Sequence, residues 1–355
     1  MPDESEPYSN LSAMEAKSMA QRIAFAPYSF YATVVMRDSG LLDAVSEEEA
    51  DVSTLAERSE LSEYATSLLL DFGKHLGLVT ESNGTFALGK VGFFMLNDEM
   101  TDVHMNLTED MMYDALPYLS EAFDKSEPAG LQTLGPWDTL YEGLSDLPEP
   151  AKTSWHHFDH FHSRCSFDDL LPVVFDEPVS NILDVGGNTG LWTLQFLEHD
   201  PDVHVQLIDL PLVLEDARDN IEDAGERDRV TLIELDLREE AVSFPEGLDV
   251  IWMSQLLDCF PPDRIVELLK TAREAMGPNT RLLITELFPD RQDMDAAAFC
   301  LNAISLYFAC VANGESRFYR FEQFREFISE ADLDVESVQD VSSSHHTVIT
   351  CRKPS

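Results

Sequence analysis

Positive charge is what this sequence has least of. Against 67 aspartates and glutamates stand only 23 lysines and arginines in 355 residues, a formal net charge of −44, and just seven of those cations are lysines. Nucleic acid is excluded as a partner on that ground, because phosphate binding needs a concentrated basic surface. Cysteine is scarce too. The five (Cys165, Cys259, Cys300, Cys310, Cys351) are odd in number, scattered and without a C-x-x-C pair. That argues against a disulfide framework or a structural zinc site and fits a reducing cytoplasm. Long apolar runs are also missing. The longest, residues 296–312, is broken by Asn302 and Ser305 and reads as a buried helix instead of a membrane span. Residues 1–6, Met-Pro-Asp-Glu-Ser-Glu, are acidic where a signal peptide would be apolar, so none is expected.

The acids are spread through periodic segments, which makes disordered acidic tails a poor account of them. At molar salt the Debye length shrinks to about 3 Å and such self-repulsion fades. Adaptation to a salty cytoplasm is the reading that follows. The excess of arginine over lysine, sixteen to seven, adds the more weakly hydrated cation to it.

Along the chain, residues 1–12 read as a solvated tail and a helical pattern begins at Ala13. A short helix over 51–58 offers a serine as its cap, and a longer one over about 63–76 carries Ala65, Leu68, Leu69, Phe72 and Leu76 on one face. Residues 78–88 are two short strands around Asn83-Gly84, a hairpin signal. Helices followed by a hairpin form a winged-helix arrangement. The longer helix, 63–76, would be its recognition helix and offers only Lys74 and His75 against Glu63 and Asp71, so dimerisation fits it better than DNA binding. Pro148 and Pro150 mark a boundary. Residues 1–150 are therefore taken as a mainly α, winged-helix-like dimerisation and substrate-lid domain, and 151–355 as a second domain.

That second domain is organised around Asp184-Val185-Gly186-Gly187-Asn188-Thr189-Gly190, a buried strand running into a glycine-rich turn and a helix start. Strands follow at 203–209, 229–236, 248–254 and 281–286, with helices at 211–224, about 262–276 and 322–331 between them, and two closing strands at about 334–340 and 346–352. The pattern predicts a Rossmann-like, mostly parallel seven-stranded α/β sheet with ligands at the carboxyl ends of its strands. The turn lacks the third glycine of a G-x-G-x-x-G fingerprint, and no Lys-Ser/Thr follows it as in a phosphate loop. Three acids, Asp184, Asp209 and Asp236, close successive strands instead. Such a rim repels phosphate and welcomes a cation bearing hydroxyls and an exocyclic amine. S-adenosylmethionine is such a ligand, with Asp209 for its ribose hydroxyls and Asp236 for its adenine amine.

With Ile208-Asp209-Leu210-Pro211 and Leu235-Asp236-Leu237 added, these motifs resemble those of class I methyltransferases in their small-molecule O-methyltransferase form, the caffeate-type and antibiotic-tailoring enzymes. The resemblance covers nearly the whole chain, since that family also carries an N-terminal winged-helix dimerisation domain. It implies a cofactor site of Asp184, Gly186, Gly187, Gly190, Asp209, Leu210, Asp236, Leu237 and Ser254, a homodimer, and a small aromatic or polyketide-like acceptor. Phe158-Asp159-His160-Phe161-His162-Ser163 falls where the family faces cofactor and acceptor, and Gly314-Glu315-Ser316-Arg317 near its late Gly/Glu-Arg stretch.

One departure bears on the chemistry. The family's general base is a histidine in a Leu-His-Asp-Trp segment, and here Leu256-Leu257-Asp258-Cys259 puts leucine in its place. Glu286 resembles the acid that flanks that histidine. A phenol still needs its proton removed: Asp258, or His162 or His157 from the preceding helix, are candidate bases, and otherwise the acceptor is already nucleophilic or the mechanism is base-free. The same departure opens the alternative that the scaffold keeps its cofactor for carbon methylation or a hydroxylase-like reaction. Phe158, Phe299, Asn302 and Phe308, with Tyr307, are the expected acceptor-wall residues. The four histidines of 156–162 lack the companions of a metal site, so no metal is expected.

Overall fold

The periodic apolar residues of the N-terminal part fold into α1 (Ala13–Ala24), α2 (Ala26–Asp38), α3 (Leu41–Glu47), α4 (Val52–Arg58) and α5 (Glu63–Leu76). These belong to a computed structural model that describes residues 8, 10–341 and 344–354; the tail expected over 1–12 falls largely outside them. Ser12 and Glu15 close a capping box on α1, the serine accepting from the Glu15 N–H at 3.3 Å and the glutamate from the Ser12 N–H at 2.8 Å. The cap of α4 is Asp51 and not the expected serine: its carboxylate accepts the Thr54 N–H at 2.9 Å. Ser53 lies inside the helix, where its hydroxyl donates to Glu63. Only the residue before the first turn can reach the exposed N–H groups.

The hairpin pairs β1 (Val79–Ser82) with β2 (Thr85–Leu88). Asn83 and Gly84 have φ of 52° and 84°, as a two-residue turn matched to strand twist requires. Phe86 of β2 bridges Ala50 and joins Met36, Leu41, Leu55 and Leu70 in one core. α6 (Lys90–Asn97) and α7 (Glu99–Leu107) complete this first compact unit, which ends at Thr108. α1 buries no residue, and Ile23, Phe25, Tyr28 and Tyr31 are each at least 41% exposed.

The second unit begins at Glu109, so 109–150, placed with the first domain from sequence, packs here. α8 (Leu119–Lys125), α9 (Leu140–Gly143), α10 (Ala151–Arg164) and α11 (Phe167–Val174) lead to the sheet. Its members are β3 (Asn181–Val185), β4 (His204–Asp209), β5 (Val230–Glu234), β6 (Val250–Ser254), β7 (Arg281–Glu286), β8 (Asp334–Val341) and β9 (His346–Arg352). The seven strands run in the order β5-β4-β3-β6-β7-β9-β8. The first five are parallel and β9 lies antiparallel between β7 and β8, as a Rossmann-like sheet with a reversed edge. Helices α12 (Leu191–His199), α13 (Val213–Asp223), α14 (Pro262–Ala275), α15 (Asp295–Tyr307) and α16 (Phe321–Glu330) connect the strands.

Alternation along each buried strand divides its side chains between the two faces. Leu183, Val185, Ile251 and Met253 enter one core with Phe324, whereas Ile182, Val250 and Trp252 enter another with Trp192 and Phe196. Both faces are therefore apolar, which is why these strands read as continuous hydrophobic runs. The helix running through residues 295–312 is apolar and long enough to cross a membrane by length and composition, and 44% of it is buried within the protein. β3 has β4 on one side and β6 on the other. The connections leave in opposite directions there, opening a crevice beyond the strand ends.

Candidate active site

A cavity of about 460 Å³ lies in that crevice, within the size range of small-molecule sites. Every expected cofactor residue except Gly190 lines it; Gly190, at φ 81°, is the N-cap of α12 behind the turn. The turn owes its shape to two close approaches. Gly186, at φ 70°, donates its N–H to Ile208 at 2.8 Å, and a Cβ there would lie 2.5 Å from Leu256 Cδ1. At Gly187 a Cβ would meet the Asp184 carboxylate at 2.7 Å. Side chains in these places would push the β6 loop and β3 apart.

The three acids have different surroundings. Asp184 is 2% exposed and accepts from Thr193 Oγ1 at 2.7 Å. Burial, with a smaller push from Asp209, lifts its carboxyl to about 7. Asp209 accepts the backbone N–H of Leu210 at 2.7 Å and of Asn188 at 2.9 Å. Burial raises its pKa, against those two bonds. With lone pairs remaining on both oxygens it suits a vicinal diol. Asp236 lies two residues beyond the end of β5, and Arg238 spans both its oxygens at 2.7–3.1 Å. That guanidinium holds the carboxyl below its ordinary range and also reaches Thr139 and Glu142 at 3.0 Å. An adenine amine here would share Asp236 with Arg238. Ser254 Oγ is buried in the wall without a partner among the described residues. An unanswered hydroxyl among carboxylates fits a ligand rich in donors and positive charge, so the residues suit the expected cofactor.

Beyond this end the wall is built by Tyr141, Trp155, Asp159, Ser163, Cys259 and Asn313. The Trp155 indole donates to Tyr307 Oη at 2.9 Å, and the Asn313 amide donates to the Cys259 carbonyl at 2.7 Å. The Asp159 carboxylate accepts from Asn188 Nδ2 at 2.7 Å. Trp155, Asp159 and Ser163 are spaced i, i+4, i+8 on α10 and so share one face. That stripe, with the acid in its middle, was the sequence signal for this wall.

The expected catalytic and acceptor residues sit elsewhere. Phe158 and His162, one position off the stripe, meet edge to face with ring centroids 4.9 Å apart, outside the lining. Asp258 is 6% exposed and outside the lining, its carboxylate accepting from the thiol of the lining residue Cys259 at 3.5 Å. Burial lifts it to about 7 and Asp159 adds to the rise. Glu286 accepts the N–H groups of Leu256 and Leu257 at 3.2 and 2.9 Å, fixing the turn after β6. Its carboxyl is pushed well up by burial, then by Asp258. Leu257 is fully buried in the apolar core, and Leu256 is the leucine that reaches the cavity. Phe299 is 71% exposed, and Asn302 is exposed with its amide donating to Ala298 one turn back. Phe308 packs against Tyr307 and Phe318. Among the described residues no cluster of three or more His, Cys, Asp or Glu could hold a metal.

Residues 152–333 match the O-methyltransferase domain model, and residues 17–86 match a Dimerisation2-like domain. The 3-amino-4-hydroxybenzoate 4-O-methyltransferase of Streptomyces cremeus is 27% identical over 87% of this chain and 83% of its own. The L-tyrosine C(3)-methyltransferase of Streptomyces lavendulae is 21% identical over 79% and 76%. The fold superposes on the S-adenosylmethionine-dependent methyltransferase SibL in its apo form with TM-score 0.74 and 22% identity, covering 95% of this chain and 99% of that one.

Proposed function

The chain belongs to the O-methyltransferase domain family, and on that premise we propose that it methylates a hydroxyl of a small aromatic or polyketide-like acceptor, with S-adenosylmethionine as methyl donor. The observation that carries this is the cavity at the β3 switch point: an aromatic-lined pocket whose cofactor end presents Asp184, Asp209 and a Ser254 hydroxyl that has no partner among the described residues. In this reading Asp209 takes the ribose diol. Asp184 and the Gly186-Gly187 backbone face the amino-acid end, and Asp236, shared with Arg238, edges the adenine. When bound, the cofactor supplies an electrophilic methyl group on a sulfonium. The chain supplies position and dryness, which account for much of the acceleration in a displacement of this kind.

In the same proposal the N-terminal part, expected over 1–150, serves dimerisation, although 109–150 packs in the second unit and lends Thr139, Tyr141 and Leu144 to the cavity, and 151–355 carry the cofactor. The apolar residues exposed on α1 and α2 support a homodimer, and the charge supports work in a salty cytoplasm. Carbon methylation is a second reading. It is favoured by Leu257 and by the tyrosine C-methyltransferase among the relatives, whereas the family and the hydroxybenzoate relative favour oxygen. The test is methyl-labelled cofactor with a panel of phenols at molar KCl, the product solved by mass and NMR. A methyl ether is expected; a ring-methylated product would move the assignment to carbon, and no product with any hydroxyl would end the proposal.

A further inference from the structure

With Leu257 where the resemblance places a histidine, Asp159 is a carboxylate in the wall of the cavity's acceptor end that a side-chain partner holds in place. Asp159 projects from the middle of the α10 stripe, and its carboxylate accepts from the Asn188 side chain at 2.7 Å. Asn188 is itself fixed, with φ 50° and its backbone N–H on Asp209 at 2.9 Å. A neutral amide thus aims the carboxylate without cancelling its charge. The charged and titratable groups that reach it are acidic: Asp209 from β4, Asp258 from the turn after β6, and Tyr307 from α15. On its own helix His160 turns to Thr189, Nε2 to Oγ1 3.4 Å, and burial lowers its pKa. Asp258 is likewise buried but is not part of the cavity lining.

On the reading that this enzyme methylates a hydroxyl, we propose that Asp159 is the catalytic base that takes the proton from the acceptor's hydroxyl. The O–H bond breaks, the proton passes to the Asp159 carboxylate, and the bonding pair stays on the acceptor oxygen as the nucleophile. The carboxylic acid so formed returns its proton to water when the product leaves. Burial first, and Asp209 second, lift Asp159 to about 7, so the group is a usable base near neutrality. The ionised form is the active one. The rate therefore rises with pH through about 7.

The test uses the full chain at molar KCl with the best phenol of the panel. In Asp159→Asn, cofactor binding by calorimetry stays within about threefold, while kcat falls on the order of a hundredfold or more, the range for losing a general base. The acidic limb of its pH profile disappears, and Asp159→Glu restores a limb at a shifted pH. Independently of turnover, infrared difference titration of the wild type shows carboxylic-acid C=O intensity disappearing near neutral pH. Asp159→Asn loses part of that intensity, and acceptor binding no longer perturbs what remains. Wild-type kcat and an intact acidic limb in Asp159→Asn overturn the assignment, as does loss of the limb in Asp258→Asn alone. A wild type that methylates no hydroxyl overturns the functional reading and the base with it.

Discussion

At the scale of single residues, a carboxylate's role is set by what already occupies it. Asp209 is oriented by two N–H groups and has no counter-ion among the described residues, whereas Asp236 is spanned by Arg238. Asp209→Ala is therefore expected to weaken cofactor binding by about 10- to 100-fold, the worth of hydrogen bonds to a charged acceptor. Calorimetry at molar KCl checks it; Asp236→Ala should cost less. That an acid sits at or near the end of each of three strands was readable from sequence. That one of them is already partnered was not, because Arg238 reaches across to Thr139 and Glu142, about a hundred residues away.

At the scale of elements, the helix period decided more than residue type. Phe158 and His162 were attractive by chemistry, yet Trp155, Asp159 and Ser163 form the cavity face of α10, because one residue's displacement on a helix turns a side chain by about 100°. The same logic puts Phe299 and Asn302 on the solvent side of α15. The turn after β6 depends on Glu286, which holds the N–H groups of Leu256 and Leu257. Its folded-state pKa is raised, so folding loses stability as pH climbs above the value in the unfolded chain. Glu286→Gln keeps an acceptor oxygen and removes that titration. The variant is expected to match the wild type in acid and to exceed its Tm at neutral and alkaline pH, as read by calorimetric scans across pH.

At the scale of the whole molecule, several titrations add. Asp159, Asp184 and Asp258 are all lifted to about 7, against about 3.9 in an unfolded chain. Between those values the folded state holds more protons, so stability falls as pH rises. Without cofactor, Tm should decline from about pH 4 to about pH 7, and bound S-adenosylmethionine, a cation among these carboxylates, should flatten the decline. A net charge of −44 adds repulsion that salt screens, so Tm should also climb with KCl toward molar concentrations; a flat response would remove the case for salt adaptation. In the first unit, Phe25→Asp with Tyr28→Asp, both exposed, should shift the protein from dimer to monomer in light scattering at high salt. By itself the sequence determined the elements, the parallel sheet, the turn at Asp184 to Gly190 and thereby the cofactor, because strand alternation, helix period and backbone demands on glycine are local. Only the tertiary structure decided which side chains meet in the acceptor end. Asp159, Asn188, Tyr141 and Cys259 come from separate segments, and their shared environment, low in water and rich in carboxylates, exists only once those segments pack together.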